Sequence, residues 1–123
     1  MLEERFTLLV SEVLLQELAD VLSRPRVVRK HGRGRLEIAD FVDGLRQGAE
    51  TVRLIGVVHL CRDPDDDAVI ETAESGGADC VVSEDQDLHA PEVRDYLSAA
   101  GIRVLTVHQF LAALAAEEPG AGP

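Results

Sequence analysis

Four short stretches of this chain, residues 6–10, 52–60, 79–83 and 102–107, carry apolar and β-branched side chains on consecutive rather than alternate positions. A strand that is apolar on both faces must be covered on both faces, as in a parallel sheet set between helices. The intervening segments supply those helices. Ser11 is placed to cap one over residues 12–23, which Pro25 brings to an end. Residues 36–47 repeat apolar side chains at helical spacing: Leu36, Ala39, Phe41, Val42 and Leu45. Asp63 followed by Pro64 is an N-cap with proline at the first helical position, and Gly76-Gly77 stops the helix it begins. Residues 91–100 and 109–116 complete the set. The expectation is a three-layer α/β/α fold with a mainly parallel sheet, in one domain over residues 1–116, and a frayed tail over 117–123.

A chain of 123 residues is long enough for one domain with its own core. Its 23 acidic residues against 12 basic ones leave a net charge of −11, which argues against a general nucleic-acid coat and for a soluble protein. Cys61 and Cys80 both lie in apolar segments and read as small core residues. No secretory signal is visible, and no apolar run approaches the ~20 residues of a membrane span. The expected compartment is the cytoplasm.

In sheets of this kind ligands bind beyond the carboxyl ends of the strands. Two acidic knots fall there: Arg62-Asp63-Pro64-Asp65-Asp66-Asp67 and Ser83-Glu84-Asp85-Gln86-Asp87-Leu88. An acid in the first turn of a helix complements its dipole, worth ~0.3–1 kcal/mol at the surface. That accounts for one or two acids. Asp63, Asp65, Asp66 and Asp67 together repel one another, which favours a bound cation, and hard cations such as Mg²⁺ take oxygen ligands. Asp85 and Asp87 are also ordinary turn residues, so their weight comes from lying near the first knot. Glu17 falls on or beside the apolar face formed by Val13, Leu14, Leu18 and Val21. It either pairs with a cation or turns into solvent at the edge of that face. His31, His59, His89 and His108 show no zinc spacing and read as non-ligands.

One segment inverts the charge of the rest. Arg24, Arg26, Arg29, Lys30, Arg33 and Arg35 are half of all the basic residues, with no acid among them, and Gly32 and Gly34 make the end of the segment mobile. It is either the positive contact an acidic protein needs to hold nucleic acid, or a solvated loop.

The two knots, with Ala73 after the first and the strand before the second, resemble the PIN-domain family. The stretch from Ser11 through Glu17 to Leu18, followed by Val21-Leu22-Ser23-Arg24-Pro25, is similar to the VapC-like branch of bacterial toxin–antitoxin toxins, as is the closing Val104-Leu105-Thr106 with Phe110-Leu111. The resemblance implies a doubly wound α/β/α fold and a Mg²⁺- or Mn²⁺-dependent ribonuclease, an RNA substrate, a cognate antitoxin as partner and a homodimer as one option. By motif position Glu17, Asp66, Asp85 and Asp87 take the catalytic and metal-binding roles. The basic residues Arg24, Arg26, Arg29, Lys30, Arg33 and Arg35 are then the RNA-binding candidates. Two departures matter. Glu84 stands where that branch has glycine, adding a charge at the mouth of the site. The family's first strand, central in the sheet and ending in an acid, has no counterpart, and Met1-Leu2-Glu3-Glu4 matches the helical segment after it. Two other readings follow: a degenerate relative that binds antitoxin or RNA without cleaving, and a receiver-like signalling domain. The second is weaker, because such a domain wants a late lysine and the one lysine here is Lys30.

Overall fold

The computed structural model describes residues 6–116. In chain order it comprises β1 (Leu9–Val10), α1 (Glu12–Leu22), α2 (Pro25–His31), α3 (Arg35–Gly48), β2 (Glu50–Thr51), α4 (Pro64–Gly76), β3 (Cys80–Val82), a 3₁₀ turn (Gln86–His89), α5 (Pro91–Ala99), β4 (Arg103–Leu105) and α6 (Val107–Ala116). The fold is α/β, and every strand pairing among the described residues is parallel: β1 with β2, and β3 with β4. The strands form two two-stranded pieces rather than one continuous ladder. Helix α4 packs against both β1 and β3 and so spans the two pieces.

The starts and stops follow local chemistry. Ser11, 1 % exposed, caps α1 by accepting from the Leu14 amide, and its hydroxyl lies 3.0 Å from that of buried Thr72 on α4. Asp63 caps α4, accepting from the Asp65 amide at 2.9 Å, with Pro64 in the first turn. Gly76, near the end of α4, is where that helix meets the first strand pair. A Cβ there would lie 2.7 Å from a Leu9 methyl and 2.8 Å from a Val52 methyl, so any larger residue would have to displace them.

Two expectations are corrected. The basic segment is not an irregular loop: Pro25 begins α2 at its first turn, with its fixed backbone angle suited to a helix start, and Gly32 ends it in the left-handed conformation (φ 67°). The strand expected over residues 52–60 is absent; the ladder stops at Thr51, with only the Val52 amide still bonded back to Val10. Beyond it the amides of Ile55, Gly56 and Val57 are given to the Glu71 carboxylate, and those of Leu60 and Cys61 to Asp67. Donors bonded to side chains cannot serve a strand ladder. The remaining elements fall within a few residues of expectation. The tail over 117–123 and the segment Met1-Leu2-Glu3-Glu4 lie outside the described residues.

The core is in two parts. Val58, Ile70, Ala73, Val81, Leu88, Val93, Leu97, Ile102 and Val104 form a cluster between α4, α5 and the β3–β4 pair. Val10, Leu15 and Val42 form a smaller one under α1 and α3, flanked by Leu18, Ala19, Leu45 and Ala49. Both cysteines are half-buried, and neither forms a disulfide among the described residues.

Candidate metal centre

Asp66 is the third residue of α4, and its helix start fixes where its side chain emerges. It is 8 % exposed, and no N–H or O–H of the described residues donates to its carboxylate. Asp85 caps the 3₁₀ turn by accepting from the Asp87 amide at 2.9 Å, and its own amide donates to the Ser83 hydroxyl at 3.0 Å. The His89 ring nitrogen Nε2 lies 2.6 Å from the Ser83 carbonyl and ties the far end of the turn back to the strand, while Leu88 roots it in the core. The result brings one carboxylate oxygen each from Asp66, Asp85 and Asp87 within 4.8 Å of one another. Asp66 is buried in this group and the other two are open to solvent.

The electrostatics match that geometry. Burial, and then the negative charges of Asp85, Asp63, Asp87 and Asp65, push the Asp66 carboxyl up to about 6. A desolvated carboxylate facing like charges resists ionisation unless a cation joins it. The donor set is all oxygen: Asp66 has little exposure but keeps solvent contact at its carboxylate, and the other two face solvent. Such a set fits a hard divalent ion that retains some of its waters.

The other acids of the two knots have separate employment. Asp63 is the α4 cap, Asp67 holds the Leu60 and Cys61 amides at 3.0 and 2.7 Å, and Asp65 faces Glu17. Burial, then Asp67, pushes the Cys61 thiol up to about 11. Glu84 does not join the cluster: its carboxylate accepts from the Val107 amide at 2.9 Å and caps the start of α6.

Glu17 is not among the three clustered carboxylates. Its carboxyl shares a hydrogen bond with Asp65, which together with burial pushes its pKa up, against the pull of Arg24 at 3.9 Å. Of the RNA-binding candidates, Arg24 pairs with Glu17 and Asp20, and Arg33 with Glu37 at 2.9 Å. Arg26, Arg29, Lys30 and Arg35 are exposed and have no acidic partner among the described residues. The roles of Asp65, Asp67 and Glu71 were not foreseen. The available signal was the four-residue spacing of Asp67 and Glu71, which puts both on one side of α4.

Residues 1–87 match the family description "PIN domain", more than half of the chain and a span containing Glu17, Asp66, Asp85 and Asp87. The chain belongs to the PIN-domain family. No curated protein and no solved structure gives a significant match. PIN domains are a nuclease family that generally uses divalent metals, and this PIN domain has a carboxylate cluster at its two acidic knots. The match ends at Asp87, so α5, β4 and α6 lie beyond it. No described helix is long and apolar enough to cross a membrane.

Proposed function

We propose that this PIN domain is a metal-dependent ribonuclease of the VapC-like toxin type, with Asp66, Asp85 and Asp87 holding Mg²⁺ or Mn²⁺. The observation that carries the reading is the convergence of three carboxylates, one of them on a residue only 8 % exposed that accepts no hydrogen bond from the described residues. A bound divalent ion supplies a nucleophilic water at neutral pH and neutralises charge on the phosphoryl group. The chain's own residues do the rest. Asp66 anchors the site from the core, and the exposed Asp85 and Asp87 leave the opposite side open to a phosphodiester. Glu17, which shares a hydrogen bond with Asp65, is the fourth acid of the proposed site. The basic residues Arg24, Arg26, Arg29, Lys30, Arg33 and Arg35 provide the positive surface that an RNA backbone requires on an acidic protein. A cognate antitoxin, a homodimer and a cytoplasmic location complete this reading.

A second reading is favoured by one specific observation: three acids are clustered, and Glu17 lies outside that group. A site one acid short binds a cation without fixing its water in line, and small misplacements are expensive in rate. On this reading the protein binds antitoxin or RNA without cleaving. The experiment is a Mn²⁺ titration paired with cleavage of a panel of single-stranded and structured RNAs, for the unsubstituted chain and for Asp66→Ala and Asp85→Ala. Cation binding with metal-dependent cleavage, both lost in the variants, supports the nuclease. Binding without cleavage supports the second reading. Absence of cation binding rejects the nuclease; the second reading needs no ion and is then tested by RNA binding of the metal-free chain.

A further inference from the structure

Residues 52–61 have the side chains of a strand and do not form one. Little burial holds them where they are: Val58 is buried, whereas Ile55, Val57 and Leu60 are 77 %, 63 % and 37 % exposed. Hydrogen bonds hold them instead. Glu71, 3 % exposed, accepts from the amides of Ile55 (2.7 Å), Gly56 (3.2 Å) and Val57 (3.0 Å). Successive amides can converge on one anion only if the backbone turns between them, and Gly56 makes that turn with φ at 76°. One turn earlier on α4, Asp67 accepts from Leu60 and Cys61. The loop is thus fastened to α4 at both ends by two carboxylates of the same helix. Two residues after Cys61 comes Asp63, the cap of that helix, and Asp67 is the immediate neighbour of Asp66.

We propose that Glu71 is a positioning residue for the cation site. By gripping residues 55–57 it fixes the loop whose far end, through Asp67 and the Asp63 cap, sets the first turn of α4 and the direction of Asp66. This inference rests on the metal reading above and extends it to a residue that touches neither ion nor substrate. Groups that orient a metal ligand in this way typically change metal affinity 10–100-fold when altered. Glutamine cannot substitute. Amides point at both carboxylate oxygens of Glu71, and a carboxamide offers one oxygen, so its own N–H₂ must face at least one donor.

The test uses the full chain and Mn²⁺ as probe. Free Mn²⁺ is followed by electron paramagnetic resonance, alongside hydrogen exchange of residues 55–61. Glu71→Gln should deprotect those amides and weaken Mn²⁺ binding about 10–100-fold. Gly56→Ala keeps the carboxylate but strains the turn, and should shift both readouts in the same direction by less. It decides the matter if Glu71→Gln fails to fold. Val42→Ala, in the separate small core cluster, serves as a control for stability alone. It should lower the melting temperature and leave Mn²⁺ affinity at the parent value. Parent-like Mn²⁺ binding by a Glu71→Gln protein whose loop exchanges freely overturns the inference and leaves the metal site standing. Equal weakening by Val42→Ala also overturns it, because affinity would then merely track stability. If the parent chain binds no Mn²⁺, the metal reading falls and the inference with it.

Discussion

The two strand pairs of this protein are set in unequal surroundings. The β3–β4 pair belongs to a cluster of nine buried core residues, among them Ile70 and Leu97 with no exposed surface. The β1–β2 pair belongs to a cluster of three. On that side the surface carries exposed ion pairs: Arg46 bridges Glu12 and Asp43 between α1 and α3, and Arg33 pairs with Glu37. Large apolar side chains are also left open there, Leu36 at 80 % and Phe41 at 55 % exposure. The candidate site straddles the divide. Asp85 and Asp87 are rooted in the large core, Asp66 is carried by the helix common to both halves, and Glu17 with the basic residues of α2 comes from the thinner side. The groups whose positions must be held to fractions of an ångström sit on the better-packed half. The groups that need only present charge sit on the other.

The sharpest way to break this contrast is to truncate each core. Leu97→Ala should cost about 2–5 kcal/mol in denaturant unfolding. Val42→Ala removes less apolar surface from a smaller cluster and should cost roughly 1–2 kcal/mol, at ~0.8 kcal/mol for each carbon withdrawn from burial. Hydrogen exchange should agree, with the amides of β3 and β4 opening only on global unfolding and those of β1 and β2 opening earlier. Equal costs and equal protection in the two halves would remove the distinction.

A smaller effect, opposite in sign, is expected at the site itself. The Asp66 carboxyl is raised to about 6 by burial and then by its acidic neighbours, so the folded metal-free chain holds that proton more tightly than the unfolded one. Stability from this group is therefore present below the ordinary carboxylate range, near pH 4, and is lost as pH rises towards about 6. Asp66→Asn cannot ionise and should make the metal-free protein more stable at pH 7 by about 1–3 kcal/mol, with little difference at pH 4. Saturating Mn²⁺ should reverse the ranking, since it stabilises only the chain that binds it. Glu71, lowered mainly by the Ile55 amide, and Asp67, lowered by the Cys61 and Leu60 amides against its own burial, behave in the opposite sense. Their contribution is present above the ordinary carboxylate pKa and lost as acid protonates them, so residues 55–61 should gain exchange rate on acidification before β3 and β4 do. A melting temperature for Asp66→Asn below that of the parent at pH 7 without metal would contradict the account of the site's electrostatics.

The smallest effect is at the surface. Arg46→Ala removes the link between α1 and α3, but the partners are solvent-exposed. Thermal melts should shift slightly at low salt and negligibly at high salt.

These contrasts also mark what the sequence could disclose. The periodicity of residues 36–47, the Asp63-Pro64 start and the glycine stops are local signals, and the helices they mark form where expected. The acidic knots were legible as a site because like charges crowd at two element ends. Which acid does what was not legible, since Asp63, Asp65, Asp66 and Asp67 are chemically alike. Only the packing of α4 aims one inward and turns the others to backbone amides or to Glu17. The apolar run at 52–60 misled because β-propensity describes side chains, and here tertiary hydrogen bonds from a helix took the backbone donors. The basic segment misled for a simpler reason: Pro25 was weighed as the end of one helix and not as the start of the next.

The central claim is that Asp66, Asp85 and Asp87 hold a divalent cation. The most direct measurement is a crystal structure of the full chain with Mn²⁺, with data collected for anomalous scattering from manganese. The account predicts one anomalous peak among these three carboxylates, bonded to Asp66 and at least one of the other two, and lost in Asp66→Asn. An anomalous map without a peak there, or with its only peak between Glu17 and Asp65, would contradict it.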